Sequence, residues 1–499
     1  MSWSTSPVTA PRRAVPPPHR LGLAEGTALY VGAVLGPGVL ALPSLAAATA
    51  GPASLLSWIG LLALSAPTAL VFAALAGRHP DAGGVSALVG RAFGRRAAVV
   101  VGWWFYFAVP VGAVAGALIG GRYVAAALDL GGAGAPVVAG LLLATAFGGN
   151  LVGLRFSGRL QLALVSVLVA LLVGTIVTAL PHADRHHFTP FAPHGWSSVG
   201  TAASVLFFAV AGWEAAIHLS AEFGDPRRHL PRAAVLTLVV VTVLYLGLAA
   251  TTIGVLGTGA GTTGMPLTAL LTVGVGGPAR AVTATAALFL TFGAVNTYVA
   301  GGVRLGAALG RDGALPGWLA HGGATGDVPR RSLGLLAALS GAVAVATVAL
   351  PIDLDTQLRA TSACLAAVTV AGMLAATRLL PRRGPLWYCA LAGVLCTTAI
   401  LVFCGALLVL PVGLAAAALL FARYAVPSAR CPGADYRDRR RRVAGTSGSS
   451  SATASSSISS SSRSASSASS ASSASSASSA SSASSASSAS SSSSSSYSS

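Results

Sequence analysis

Residues 32 to 43 read Gly-Ala-Val-Leu-Gly-Pro-Gly-Val-Leu-Ala-Leu-Pro, and this stretch decides the fold. It lies within an apolar segment long enough to cross a bilayer, yet Gly36-Pro37-Gly38 interrupts a helix, because proline lacks the backbone N–H and glycine adds backbone freedom. In lipid, a broken helix is tolerated only where the freed backbone groups face protein or water. The pattern predicts a second half-helix whose positive N-terminal end points at an anionic group. The alternative is that these glycines only allow close helix packing.

A second stretch of this kind occurs at residues 207 to 218, which read Phe-Phe-Ala-Val-Ala-Gly-Trp-Glu-Ala-Ala-Ile-His. Glu214 lies deep in this apolar segment, where an ionisable side chain is costly and is therefore a functional candidate. A carboxyl group that binds and releases a proton there is suited to proton coupling. The alternative is a structural carboxylate bonded to backbone freed by Gly212. For His218, one helical turn further on, a structural role is favoured.

The two interrupted segments occupy corresponding positions if the first five spans repeat as the next five. Interrupted helices at matching places in two halves point to a binding site at the middle of the membrane. Asn296, in the apolar eighth span, is a further candidate for a polar pocket. Hydrogen bonding between helices is the favoured interpretation of that side chain.

Composition predicts an integral membrane protein. Of its 499 residues, 54% are hydrophobic and only 9% are charged, whereas a soluble domain carries about a quarter of its residues as charges. There is no lysine, which excludes Schiff-base chemistry and phosphate-loop nucleotide binding. The five cysteines show no metal-ligand spacing, so no metal site is expected.

Apolar segments of about 20 residues each predict an all-α polytopic fold with about twelve spans. They fall near residues 24–50, 53–76, 98–121, 134–153, 160–181, 198–221, 233–256, 281–303, 333–350, 357–377, 386–404 and 406–425. The last two form one uncharged run that must fold back, most plausibly near Gly405. Residues 1–20 form a polar tail, 21–425 the membrane domain, and 426–499 an Arg-rich segment followed by a Ser/Ala repeat that cannot bury a core and is expected to be disordered.

Orientation follows from the arginines, since cytoplasmic loops retain positive charge. With the N-terminus inside, 27 of the 31 arginines fall on the cytoplasmic side. The exceptions are Arg122, Arg185, Arg280 and Arg359. Both termini are therefore expected in the cytoplasm. Arginines scattered over many short loops do not form a nucleic-acid surface, so no such partner is expected.

Several motifs together resemble the amino acid-polyamine-organocation superfamily of permeases. They are Gly36-Pro37-Gly38-Val39 with Pro43, Gly212-Trp213-Glu214, Glu222-Phe223-Gly224-Asp225-Pro226-Arg227-Arg228, and the loop Gly77-Arg78-His79-Pro80-Asp81-Ala82-Gly83-Gly84-Val85. Within it, Gly212-Trp213-Glu214-Ala215 and His218-Leu219 leading into Glu222-Phe223 resemble the bacterial exporters of L-methionine and branched-chain amino acids. The resemblance covers about residues 21 to 425.

The resemblance implies five plus five inverted helices with broken helices 1 and 6, two added C-terminal helices, and alternating access in a bacterial plasma membrane. It implies an amino acid substrate and no cofactor. The substrate carboxylate would meet backbone N–H groups at Gly36 to Val39, and its ammonium the carbonyls of Val210 and Ala211. Phe208 matches an aromatic gate, and Glu214 a residue implicated in proton response. Pro37 departs from the Ser or Thr of many relatives, so the carboxylate would rest on Gly38 and Val39.

Apolar side chains around the breaks favour a neutral apolar amino acid over a charged one. These side chains are Val34, Leu35, Phe208 and Trp213. The function predicted is proton-linked export of methionine, leucine, isoleucine or valine. The alternative is an importer or exchanger for an amino acid or amine, because sequence does not fix the direction of flux.

A polytopic membrane enzyme is the least favoured interpretation. It would need a cluster of His, Asp or Glu at one membrane face, and His182, Asp184, His186 and His187 in an outer loop are the one candidate. A solvated loop is favoured over a metal site, because no second segment bearing ligands completes it.

Overall fold

The computed structural model describes residues 22–78, 84–152, 158–214, 225–321, 328–350 and 352–424. All regular structure in these ranges is helical. The fifteen α-helices are α1 Leu23–Leu35, α2 Gly38–Ala50, α3 Ser54–Arg78, α4 Gly84–Phe93, α5 Arg95–Ala127, α6 Gly134–Val152, α7 Gly158–Ala179, α8 Ser197–Val210, α9 Pro226–Leu256, α10 Pro266–Val275, α11 Ala279–Arg311, α12 Arg330–Ala349, α13 Leu354–Leu379, α14 Pro385–Val402 and α15 Val409–Tyr424.

Ten helical stretches of the described chain are long and apolar enough to cross a membrane. The first of them, Leu23–Arg78, has 56 residues and contains α1, α2 and α3. Helix α8, at 14 residues, is too short to cross by itself. The protein is therefore a multi-pass helical membrane protein.

Two short helices, α4 and α10, have ten residues each and were not predicted from the sequence. Both follow a long helix and precede one of 33 residues, α5 after α4 and α11 after α10. The two 33-residue helices pack against each other. One arginine holds α4 against α13: the guanidinium of Arg378 in α13 lies 4.3 Å from the ring centre of Phe93 and donates to the Ala92 carbonyl.

The long uncharged run at the C-terminal end divides where the sequence predicted a turn. Helix α14 ends at Val402, and Gly405 adopts a positive φ of 58°, a backbone conformation that favours glycine. Large apolar side chains stay exposed on the outer helices, among them Val152 at 82% and Val409 at 74%. Such surfaces suit lipid and are rare on soluble proteins.

Candidate functional site

The first helix break lies where the sequence predicted it. Helix α1 ends at Leu35, and Gly36 turns the chain with φ at 31°. Pro37 precedes α2, whose first residue is Gly38. The first N–H groups of a helix have no partner within that helix, so those of Gly38 and Val39 are the donors that this end of α2 offers.

Carbonyl groups freed at the end of α1 are satisfied by Tyr245 of α9. Its hydroxyl lies 3.1 Å from the Val34 oxygen and 3.3 Å from the Leu35 oxygen. The Tyr245 ring stacks on Trp58 of α3, with ring centres 4.7 Å apart. Sequence analysis missed Tyr245, because nothing in the pattern of a long helix ties one of its tyrosines to a break some 200 residues earlier.

The second break follows α8. The helix ends at Val210, Ala211 leaves the helical conformation with ψ at 114°, and residues 212–214 form a turn. The sequence-predicted His218 and the Glu222 motif lie outside the described residues. Helix α8 therefore ends inside the apolar segment, at the place where the sequence predicted a break.

The two breaks touch through their backbones. A Cβ atom placed on Gly212 would lie 2.9 Å from the Ala33 carbonyl oxygen and 3.3 Å from the Val34 Cα atom. Backbone cannot move away as the end of a flexible side chain can. Glycine, which has no Cβ, is therefore required at position 212 for the two backbones to approach this closely. The contact brings Val34, Leu35, Ala211 and Trp213 into one buried region.

Glu214 is enclosed beside this contact, with 3% of its surface exposed. Its Oε2 atom accepts from the Gly212 N–H at 2.9 Å, and its Oε1 atom lies 2.6 Å from Oγ1 of Thr369 in α13. The Gly212 N–H is thus used by the carboxylate. Thr369 was not a sequence candidate, because a threonine in a helix gives no signal of a distant partner.

Thr369 has a second acceptor, the Leu365 carbonyl oxygen at 3.0 Å, but a hydroxyl carries a single proton. When Glu214 is ionised, Thr369 donates to it. When Glu214 is protonated, its own O–H donates to Thr369, whose proton then turns to Leu365. Both protonation states therefore keep their hydrogen bonds without moving a heavy atom.

Phe208 lies between the start of α2 and two other helices. A Cβ on Gly38 would lie 3.3 Å from Phe208 Cδ1 and 2.7 Å from Leu42 Cδ1. A Cβ on Gly112 of α5 would lie 3.7 Å from Phe208 Cε2 and 3.1 Å from Cγ2 of Thr361 in α13. The ring, 5% exposed, thus covers the N-terminal end of α2, the position that a gating aromatic would need.

Pro37 packs on α5, since a Cβ on Gly116 would lie 3.0 Å from Pro37 Cγ. Asn296 of α11 is 4% exposed, and its Oδ1 accepts from Nδ2 of Asn150 in α6 at 2.7 Å. This bond joins two helices, and hydrogen bonding between helices is the interpretation that the sequence favoured for Asn296. The predicted residues of the two breaks are thus together, while Asn296 is committed to α6.

The histidine-rich loop at residues 182–187 is held by hydrogen bonds to the backbone of α9 and to its own backbone. His187 Nδ1 lies 2.7 Å from the Gly254 oxygen, and the N–H of His186 donates to Asp184 at 2.9 Å. This bond, with lesser help from nearby positive charges, lowers the pKa of Asp184. Across the described ranges, no group of three or more His, Cys, Asp or Glu side chains is arranged to hold a metal.

Several known proteins resemble the chain, one of them over most of its length. An amino acid permease of Bacillus subtilis, YecA, named as uncharacterized, is 36% identical over 397 residues, covering 80% of this chain and 94% of the relative. The L-methionine/branched-chain amino acid exporter YjeH of Escherichia coli is 37% identical over 248 residues, 46% of this chain and 55% of the relative. The branched-chain amino acid permease BcaP of Bacillus subtilis is 26% identical, covering 48% and 55%.

The sequence profile of the family described as amino acid permease matches residues 21–430. The match contains both helix breaks, Glu214 and every described helix. The similar proteins are transporters and permeases by name, so the chain is a transporter and not an enzyme. On this evidence, the chain belongs to the amino acid permease family, whose substrates are amino acids.

Proposed function

We propose that this permease exports neutral apolar amino acids, such as methionine, leucine, isoleucine and valine, in exchange for protons. The observation that carries the proposal is the contact of the two helix breaks beside Glu214. Free N–H groups at the start of α2 suit a carboxylate, and the carbonyls of Val210 and Ala211 suit an ammonium group. The apolar neighbours Phe208 and Trp213 suit an uncharged side chain.

Proton coupling is proposed for Glu214 because its surroundings accept both protonation states. Thr369 donates to the carboxylate or accepts from the acid, as its two acceptors at 2.6 and 3.0 Å allow. A buried group of this kind gains or loses a proton without leaving an unpaired partner, which would be costly. Substrate arriving at the adjoining break would favour one state over the other.

An inverted repeat of five spans, twelve spans in all, is supported by helix lengths. In each half a broken helix is followed by a long helix, a ten-residue helix and a 33-residue helix. The ten membrane-crossing stretches become twelve when Leu23–Arg78 is divided at the end of α2 and α8 is taken as half of a broken sixth span. An odd number of spans per repeat inverts the second half relative to the first.

The transport domain is proposed to comprise residues 21–425 in the plasma membrane, with tails 1–20 and 426–499 in the cytoplasm. Arginine distribution supports this orientation. Export is supported by the similarity to YjeH, whose name gives it as an exporter of L-methionine and branched-chain amino acids. Import or exchange of a related amino acid or amine is the alternative, since the branched-chain permease BcaP is also similar.

Reconstituted protein tests these possibilities by the sign of the pH gradient. Exchange with protons predicts that an acidic vesicle interior drives uptake of labelled methionine, leucine, isoleucine and valine. Symport with protons predicts that an acidic exterior drives it. Arginine and glutamate serve as charged controls and are not transported on this account. Uptake that ignores gradients of both signs would refute proton coupling.

A further inference from the structure

A small cavity adjoins Glu214 between α3, α8 and α13. Ser65 and Thr68 of α3 line it, together with Thr369 of α13, Trp213, and apolar side chains of α3 and α8. The space is close to that of a single water molecule. A void of this size is dry where its walls are apolar but holds water where they offer polar partners, so the wall chemistry decides its content.

Trp213, one of the residues that line the cavity, carries an unused donor. Its side chain is 1% exposed, and its Nε1 atom has no hydrogen-bond partner within the described part of the chain. An indole N–H can only donate, and leaving a buried donor unpaired is unfavourable by about 1 to 3 kcal/mol. The cavity therefore calls for an acceptor.

The three hydroxyl groups supply acceptors. Ser65 donates to the Leu61 oxygen at 3.0 Å, and Thr68 donates to the Leu64 oxygen at 2.9 Å. With their protons used in this way, their oxygens keep lone pairs for an outside donor. Thr369 likewise spends its proton on Leu365 or Glu214.

One donor and several acceptors match the hydrogen bonding of water. A metal cation would meet the hydroxyl oxygens well but would be repelled by the indole N–H. An ammonium ion has no lone pair for that N–H. Water both accepts and donates, and it alone among these satisfies the whole wall.

We propose that this cavity binds one ordered water molecule, held by Trp213 and the α3 hydroxyls, which passes protons to Glu214 through Thr369. In the relay, the water gives a proton to Thr369 Oγ1 as Thr369 gives its own proton to Glu214 Oε1. The water regains a proton from the aqueous compartment. The binding of water stands on the cavity alone, whereas the relay rests on the proposed proton coupling of Glu214.

Two tyrosines of the described ranges belong to the surroundings of Glu214 and Trp213. Tyr298 of α11 is close enough to interact electrostatically with Glu214. Tyr30 of α1 lies against Trp213, with ring centres 6.3 Å apart. Neither is among the hydrogen-bond partners of Glu214 there, and the groups that α3 and α13 present to it through the cavity are hydroxyls. The path through Thr369 is thus the hydrogen-bonded one.

The water is tested first, by high-resolution structure determination of the purified full-length chain. We expect density for one water within hydrogen-bond distance of Trp213 Nε1 and the Ser65 hydroxyl. Ultraviolet resonance Raman difference spectra between the parent and Trp213→Phe show whether the indole N–H of Trp213 is hydrogen-bonded in solution. A hydrogen-bonded indole is expected. An empty cavity with a free indole N–H would overturn the proposal.

The relay is tested by filling the cavity. Ser65→Val adds methyl groups that displace the water, while the matched Ser65→Ala removes the hydroxyl and leaves room for it. Thr68→Val, nearly the same shape as threonine, is a second variant in case Ser65→Val fails to fold. For Ser65→Val we expect a free indole signal and a several-fold lower rate of proton-coupled transport, with a smaller loss for Ser65→Ala.

These measurements separate the two ideas. If transport by the parent is independent of pH, the proposed coupling fails and the relay with it, while the density and Raman results still decide whether the water binds. If parental transport depends on pH and Ser65→Val loses the water but keeps the parental rate of proton-coupled transport, the relay is overturned and the coupling stands.

Discussion

The hydroxyl of Tyr245 lies 3.1 Å from the carbonyl oxygen of Val34, so α9 supplies a hydrogen-bond donor to the broken end of α1. Because α1 stops at Leu35, its last carbonyls have no helical partner, and in a membrane they cannot turn to water. The tyrosine supplies the missing donor. Its ring, stacked on Trp58, keeps the hydroxyl in place.

Tyr245→Phe keeps the stacking on Trp58 and removes the donor. We expect a loss of about 1 kcal/mol in the free energy of unfolding and weaker amino acid binding, because the end of α1 loosens. Thermal unfolding in detergent and equilibrium binding measure the two effects. Tyr30→Phe is the matched control, since the buried Tyr30 hydroxyl has no hydrogen-bond partner in the described part. Equal stability of Tyr245→Phe and the parent would contradict the role.

Gly212→Ala tests the contact between the breaks. The added methyl would lie 2.9 Å from the Ala33 oxygen, and overpacking of this kind costs about 1 to 3 kcal/mol. The transport rate of Gly212→Ala is expected to fall by at least as large a fraction as its free energy of unfolding. Gly293→Ala is the control, because its methyl would meet no described atom within 4 Å. The idea fails if both variants transport at the parental rate.

Gly38→Ala tests whether the start of α2 meets the substrate carboxylate. Loss of one hydrogen bond to the N–H would weaken binding roughly tenfold. The methyl would also approach Leu42, so the double variant Gly38→Ala with Leu42→Val removes that conflict. We expect the double variant to bind as weakly as Gly38→Ala. Full recovery of binding would assign Gly38 to packing alone.

Much of this site could be predicted from the sequence, because helix breakers and a buried carboxylate are local signals. Gly36-Pro37-Gly38 interrupts the first apolar stretch, and α8 ends just before Gly212, as these local signals predicted. The partners could not be predicted, since Tyr245 and Thr369 are ordinary residues of long helices and only the packing brings them to the breaks. The helices α4 and α10 were missed because ten residues are too few to cross a bilayer.

Orientation remains a prediction from the arginines, and thiol labelling measures it. In a variant whose native cysteines are replaced, Ser197→Cys at the start of α8 should react with an impermeant reagent on intact cells. Asp312→Cys, after α11, should react only once the cells are opened. Both positions are exposed, so access depends on the side of the membrane alone. The reverse pattern would invert the topology.

The central claim, that Glu214 exchanges the transported proton, is tested most directly by substrate-driven proton flux. Glu214→Gln keeps the shape of the side chain, can still accept from Gly212 N–H and can donate to Thr369, but it cannot titrate. In liposomes containing a pH dye, methionine added outside should drive protons out through the parent, making the interior more alkaline. Glu214→Gln should bind methionine and show no such change. Proton flux of parental size in Glu214→Gln would contradict the account.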